Sequence, residues 1–198
     1  KHNIYNVTSA LTVGFSQDLS LASMSAGLLD FSGIPGHIEF INEGQPFKII
    51  VDYAFEPKAV EALYEIVKLI SHQKIIHVLG STGGGRDVAR RPRLGELAGH
   101  NADIVIVTNE DPYDEDPQKI IDEVATGASA VGKKLGQDLF KILDRKEAIS
   151  KALSLAAKDD IVLITGKGSE QAMVVKGGKL ISWDDRQVVR TELKTLRI

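Results

Sequence analysis

Residues 74–92, "KIIHVLGSTGGGRDVARRP", place an apolar run directly before a glycine-rich segment that ends in arginines. The run is apolar and β-branched almost throughout, which is typical of a parallel strand covered on both faces. In open α/β sheets, ligands bind beyond the carboxyl ends of the strands. The stretch therefore predicts both a class of fold and the edge of the sheet at which a site should lie.

The same alternation of short apolar strand and helix continues on both sides of this stretch. The predicted strands are 47–53, 74–80, 102–108, 138–143 and 160–166. The predicted helices between them are 57–72, 91–100, 117–128 and 145–157. Alternation at these lengths predicts an α/β fold with a Rossmann-like, doubly wound and mostly parallel sheet.

The two ends of the chain depart from this alternation. Apolar residues at helical spacing predict two short helices over 3–15 and 21–28, and the turn formers "SGIPG" follow them at 32–36. We therefore expect a domain boundary there, with one domain over 1–34 and another over 37–198. At the other end we expect a β-hairpin that turns at Gly177 and Gly178, followed by a closing helix.

The composition limits the functions that this chain can have. Of 198 residues, 43% are hydrophobic, and the formal net charge is −3, so the chain can bury a core but has no general attraction for nucleic acid or anionic membranes. The absence of cysteine excludes disulfides and fits a cytoplasmic protein. No apolar run reaches the ~20 residues that span a bilayer. The five histidines show no ligand spacing, and no metal site is predicted.

The glycine-rich loop is the first candidate site. Glycine lets main-chain N–H groups approach an anion, and Arg86 adds a planar, permanently charged fork that suits a carboxylate or phosphate. The segment matches neither the phosphate-loop nor the dinucleotide-binding pattern. A flexible turn with solvated arginines is the alternative interpretation.

The loops after the neighbouring strands are rich in charge. "NEDPYDEDP" (109–117) has acids that suit the start of a helix, but Glu110 and Asp111 lie too early for that, which favours a ligand-facing role opposite Arg86. A zwitterion could be held between the two loops. "GKGSE" (166–170) is either part of the site or a plain turn, and Asp52 either meets a ligand or caps the helix that begins near Pro57.

Eight blocks, taken in order, resemble the Mur ligases, in particular the branch that adds the third amino acid of the peptidoglycan stem peptide. They are "IYNVTSAL", "SGIPGHIEFI", "VDYAFEP", "GSTGGGRDVARRPRLGELA", "VIVTNEDPYDEDPQKIIDEV", "LDRKEAISKAL", "VLITGKGSE" and "WDDRQVV". The resemblance implies a three-domain, ATP- and Mg²⁺-dependent enzyme that joins an amino acid to UDP-MurNAc-L-Ala-D-Glu. Residues 1–34 would be the last helices of its central ATPase domain, and 37–198 its complete amino-acid-binding domain.

The resemblance also implies roles for particular residues. Arg86 would grip the carboxylate of the amino acid, and the residues expected at its side chain are Glu110, Asp111, Pro112, Tyr113, Gly166 and Glu170. The residues expected to contact ATP are Asn6, His37 and Asp52. The phosphate-binding loop and the magnesium ligands of the family are absent from this sequence. We therefore expect no catalytic residue and no turnover in this chain alone, which begins without Met and is expected to be a monomeric piece of a longer protein.

Departures from the family pattern bear on the substrate and on ATP. Enzymes of this branch that use diaminopimelate carry D-N-P-R, whereas this chain has "EDPY", with Tyr113 in place of the arginine that pairs with a second carboxylate. Lysine or ornithine is therefore expected in preference to diaminopimelate. Phe55 replaces a histidine and His37 an arginine, which weakens the expected ATP contacts.

Two alternative functions are open. The first is that of another member of the same superfamily, such as folylpolyglutamate synthetase or the D-glutamate-adding ligase, but the acidic loop and "GKGSE" argue against both. The second is that of a non-catalytic Rossmann-like module that binds a muropeptide or a nucleotide in the same cleft.

Overall fold

The computed structural model describes residues 2–196, with side chains from residue 4 onward, as two compact units. The first unit ends at Gly33 and contains the two predicted helices, α1 (His2–Ser16) and α2 (Leu21–Leu29). The side chain of Ser20 begins α2 by accepting a hydrogen bond from the N–H of Ser23 at 3.1 Å, as an N-cap residue does. The assignment of this unit to a central ATPase domain stays a prediction.

The second unit begins at Ile34 and contains the predicted alternation of strands and helices. Its elements are β1 (Glu39–Ile41), β2 (Lys48–Asp52), α3 (Pro57–Val67), β3 (Ile75–Leu79), α4 (Arg90–Asn101), β4 (Ile104–Thr108), α5 (Pro117–Ala130), β5 (Leu139–Ile142), α6 (Arg145–Leu155), β6 (Ile161–Thr165), β7 (Ala172–Val175), β8 (Lys179–Ser182) and α7 (Asp185–Leu196).

The main sheet has six strands in the order β1-β2-β6-β3-β4-β5. All strands from β2 to β5 along this order pair in parallel, and β1 pairs antiparallel with β2 at one edge. The predicted fold class is confirmed. Strand β1 was not predicted, because a strand of three residues is too short to show a period.

The core lies on both faces of this sheet, as the apolar strands predict. Side chains alternate across a strand, so Ile75 and Leu79 of β3 join one core cluster with α3, α4 and α5, while Ile76 and Val78 join a second with α6 and α7. His77 interrupts the alternation with a polar group that is fully buried. Its two ring nitrogens form hydrogen bonds with the hydroxyls of Tyr64 on α3 and of Thr165 on β6, at 2.6 and 2.9 Å.

The predicted hairpin is formed by β7 and β8, which pair antiparallel as a separate two-stranded sheet. Gly177 and Gly178 both have φ near 70°, a left-handed conformation that glycine adopts without strain. Within the described residues, no helix is both long and apolar enough to cross a membrane.

Candidate functional site

The candidate site lies where loops follow parallel strands. Because β2, β3, β4 and β6 run in the same direction, their following loops meet at one edge of the sheet. The N–H of Gly83 donates to the carbonyl of Asp111 at 2.8 Å, and the N–H of Gly166 donates to the carbonyl of Asp52 at 3.2 Å. The predicted loops therefore contact one another in pairs.

The glycines of the 80–86 loop make room for the acidic loop. A Cβ at Gly83 would lie 2.3 Å from the carbonyl oxygen of Pro112, and one at Gly84 would lie 2.7 Å from the ring of Tyr113. Gly84 also has a φ of 69°, which other residues rarely adopt. Close packing between loops is thus a reason for these glycines that sequence reasoning did not find.

Arg91, at the start of α4, links the glycine-rich loop to the acidic loop. Its side chain is 1% exposed and donates to Glu115 at 2.8 Å and to Glu123 at 2.7 Å. It also donates to the carbonyl of Thr82 at 3.4 Å. The sequence analysis placed Arg91 at the start of a predicted helix and gave it no partner, whereas the structure shows it buried, with bonds to the glycine-rich loop, the acidic loop and α5.

Glu110 is buried among these loops, with 2% of its surface exposed. The hydroxyl of Thr82 donates to its Oε1 at 2.6 Å, and its Oε2 has no hydrogen-bond partner among the described residues. A Cβ at Gly166, where φ is 105°, would lie 2.2 Å from that oxygen. Burial raises the pKa of Glu110, while the positive charge of Arg145 opposes the rise.

Asp111, Lys167 and Glu170 form an ion-pair bridge between two of the loops. The ammonium of Lys167 lies 2.9 and 2.8 Å from the two carboxylate oxygens of Asp111 and also contacts Glu170. The hydroxyl of Tyr53 donates to Glu170 at 3.1 Å. The pKa of Tyr53 is raised by burial and by the charge of Glu170.

Tyr113 is held in an uncommon backbone conformation. Its φ is 52°, which is an outlier for a bulky residue, and its N–H donates to the carbonyl of Val174 in β7 at 3.3 Å. The hairpin therefore helps to hold the acidic loop. Pro112 is buried beneath it against Gly83.

Arg86 is exposed, unlike Glu110 and Asp111, which are buried. Among the side chains that the structure describes, none forms a hydrogen bond or ion pair with its guanidinium. It lies on the same loop as Gly83 and Gly84, which contact the acidic loop. The convergence of Arg86 and Glu110 on one ligand stays a prediction.

The residues predicted to contact ATP lie in two different units. Asn6 lies exposed on α1 of the first unit, and His37 is exposed near the end of β2. Asp52 is buried, and its carboxylate accepts the N–H groups of Ile38 and Ala54, both at 2.7 Å. The alternative role of Asp52 as a helix cap is wrong, because Glu56 occupies the N-cap position of α3.

The fit of ATP and Mg²⁺ to these residues is poor. Among residues 4–196, no group of three His, Asp or Glu side chains is placed to hold a metal ion. Asp52 is only 7% exposed, and each of its oxygens accepts one main-chain N–H group. We therefore assign no step to either group on this chain.

A buried arginine supports the site from the side of α6. Arg145 pairs with Asp185 through two hydrogen bonds of 2.8 Å, and both side chains are completely buried. Its guanidinium also donates to the carbonyls of Asn109 and Thr165, at the ends of β4 and β6. Sequence reasoning missed this pair, whose members are separated by 40 positions.

The fold and these loops define the second unit as a doubly wound, Rossmann-like α/β domain with a charged cluster at the carboxyl edge of its sheet. A family model described as "Mur ligase, glutamate ligase domain" matches residues 37–168. The chain belongs to the Mur ligase family, as the sequence resemblance predicted.

Relatives cover nearly the whole chain. It is 43% identical over 194 residues to a UDP-N-acetylmuramyl-tripeptide synthetase of Roseiflexus sp. (strain RS-1), covering 98% of this chain and 38% of that protein. It is 37% identical over 193 residues to a UDP-N-acetylmuramoyl-L-alanyl-D-glutamate–2,6-diaminopimelate ligase of Geobacillus kaustophilus (strain HTA426), covering 97% and 38%.

A solved structure supports the same assignment. A UDP-N-acetylmuramoyl-L-alanyl-D-glutamate–2,6-diaminopimelate ligase is 28% identical with a TM-score of 0.72, covering 99% of this chain and 39% of that one. The chain thus spans well under half the length of these relatives.

Proposed function

We propose that this chain is the amino-acid-binding part of an ATP-dependent amide ligase that adds a diamino acid to UDP-MurNAc-L-Ala-D-Glu, with lysine or ornithine preferred over diaminopimelate. Such a ligase would convert the acyl group and ATP into an acyl phosphate and ADP, and the amine of the amino acid would then displace phosphate to form the amide. The residues of this chain would bind and orient the amine, which is a large part of the catalysis in reactions of this kind.

The observation that carries the substrate preference is the pairing of charges at the site. Lys167 is already bonded to Asp111 and Glu170, and Arg145 is bonded to Asp185. Tyr113 adds no charge where a second carboxylate would need a cation. The carboxyl groups that remain in excess favour an amino acid whose side chain ends in an ammonium group.

Binding of the amino acid by Arg86 is tested by titrating the chain with lysine, ornithine and diaminopimelate and following the backbone amide signals by NMR. Arg86→Ala is expected to weaken lysine binding about 10- to 100-fold, because a hydrogen bond to a charged group contributes about 1.5–3 kcal/mol. Arg93→Ala is the matched control, since Arg93 is half exposed on α4 and pairs only with Glu96. Equal lysine affinity in Arg86→Ala and in the wild type would contradict the assignment.

The preference for a monocarboxylic diamine is tested in a ligation assay with the full-length protein that contains this chain. Tyr113→Arg should shift the ratio of diaminopimelate to lysine use toward diaminopimelate about 10-fold, because a guanidinium pairs with the second carboxylate. Tyr113→Gln, which removes the ring without adding charge, serves as the control. A wild type that uses diaminopimelate faster than lysine would show that the preference is wrong.

A further inference from the structure

The hairpin of β7 and β8 has two edges, and the direction of its main-chain groups follows from one hydrogen bond. The N–H of Trp183 donates to the carbonyl of Gln171 at 3.0 Å, which makes these two residues a hydrogen-bonded pair of the antiparallel ladder. Such pairs alternate along the strands with pairs whose N–H and C=O groups point outward. The register of the hairpin therefore directs the main-chain groups of Val174, Leu180 and Ser182 away from the partner strand.

The two edges differ in whether they are occupied. On β7, the N–H of Val174 donates to Asp111 at 2.7 Å, and its carbonyl accepts from the N–H of Tyr113 at 3.3 Å. On β8, the outward groups of Leu180 and Ser182 have no partner among residues 2–196, and every side chain of the strand is exposed. An unpaired edge of this kind is a template on which another extended chain can add a strand.

A groove lies between the hairpin and the start of α6 and is called the hairpin groove below. Its volume is about 540 Å³, and its apolar lining includes Leu143, Met173, Ile181 and Trp183. Met173 on β7 is only 6% exposed, whereas Ile181 on β8 is 47% exposed and Leu143 is 49% exposed. The groove therefore opens on the side of β8, which is the strand with the unpaired edge.

The hairpin groove has an excess of negative charge. Its charged lining residues are Asp144, Arg145 and Glu147, and Arg145 is already paired with Asp185, with both side chains fully buried. Asp144 and Glu147 are exposed, and neither forms an ion pair with a residue that the structure describes. Two unpaired carboxylates beside apolar walls favour an occupant that combines apolar side chains with cations.

We propose that β8 and the hairpin groove form a docking surface for an extended, basic segment of a partner protein. The segment adds to the hairpin as a third strand through the main-chain groups of Leu180 and Ser182. Its apolar side chains enter the groove beside Ile181, and lysine or arginine side chains next to them pair with Asp144 and Glu147. The surface uses no residue of the proposed amino-acid site, so either proposal can fail without the other.

Strand addition is tested by titrating the chain with a capped hexapeptide of alternating lysine and valine. The fluorescence of Trp183, the single tryptophan, should change, and the backbone amides of Leu180 and Ser182 should shift in NMR spectra and exchange more slowly. Ser182→Pro should weaken binding about 10-fold, because proline removes one outward donor and its ring obstructs the added strand. The N–H groups that pair with β7 stay in place in this variant. No binding at about 1 mM peptide, or equal affinity in Ser182→Pro and the wild type, overturns the proposal.

The basic character of the partner is tested with variants of the two carboxylates. Asp144→Asn/Glu147→Gln should weaken binding of the same peptide about 5- to 10-fold, since two exposed charge pairs are lost. Asparagine at position 144 can still cap α6, so the helix should be retained. Glu65→Gln, at an exposed position on α3, is the matched control and should bind the peptide as the wild type does.

A second peptide and a sedimentation experiment distinguish the other occupants. A capped hexapeptide of alternating glutamate and valine should bind at least about 10-fold more weakly than the basic one. Equal affinity for the two peptides contradicts a basic partner. Self-association of the chain without peptide, abolished by Ser182→Pro, would assign the surface to a second copy and overturn the proposal.

Discussion

Asp185→Asn is expected to lower the free energy of unfolding by about 3–5 kcal/mol, because it leaves a buried guanidinium without its counter-charge. Asp185 and Arg145 are both 0% exposed, so water cannot replace the lost carboxylate. The indole N–H of Trp183 also donates to Asp185 at 2.8 Å. Urea denaturation of the chain, followed by the fluorescence of this single tryptophan, measures the loss.

The matched control for this prediction is Asp122→Asn. Asp122 also pairs with a cation, Lys141, at 3.0 Å, but its side chain is 50% exposed. An exposed ion pair contributes only about 0–1 kcal/mol, so this variant should unfold close to the wild-type urea concentration. A loss of stability in Asp185→Asn no larger than in Asp122→Asn would mean that the buried pair does not support the sheet edge.

His77 is expected to make the stability of the chain fall steeply in acid. Burial and the nearby charge of Arg145 lower the pKa of His77 from 6.5 to about 3. Between these two values the unfolded chain binds a proton that the folded chain does not, so stability is lost as the pH falls, by about 1.4 kcal/mol per pH unit. Above pH 6.5 this contribution is complete.

Urea denaturation of His77→Gln at pH values from 7 to 4 measures the contribution of His77. A glutamine keeps polar atoms for the hydroxyls of Tyr64 and Thr165, which lie 2.6 and 2.9 Å from the ring nitrogens of His77, but it does not titrate. The dependence of stability on pH should therefore become shallower by about one proton. His100→Gln, at an exposed position, should leave it unchanged. Equal slopes in His77→Gln and the wild type would contradict the assignment.

The predicted fold was accurate where the strands are long and apolar. The runs "KIIHVLG" and "DIVLITG" became β3 and β6, which lie side by side in the sheet although β3 ends at Leu79 and β6 begins 82 positions later at Ile161. Their composition indicates burial on both faces, but composition does not say which strand is the neighbour. Strand β1 was missed because it has three residues, one of them exposed.

The proximity of several predicted site residues was foreseen, whereas their role in binding stays a prediction. Glu110, Asp111, Gly166 and Glu170 were predicted from their positions after strands, and the structure brings them together through contacts with one another or with Lys167. The supporting ion pairs were not predicted. Sequence alone does not reveal that Arg145 meets Asp185, because that contact depends on where two helices begin in space.

The sequence by itself determined the α/β class, the family and the loops that carry charge, because periodicity, turn residues and ordered motifs are local properties of the chain. Only the tertiary structure decided which charges meet and which remain free. Lys167, Arg145 and His77 each have a partner from a distant segment, namely Asp111, Asp185 and Thr165. Burial changes the energy of each of these groups according to what surrounds it. These pairings therefore follow from the folded arrangement and not from the residue types alone.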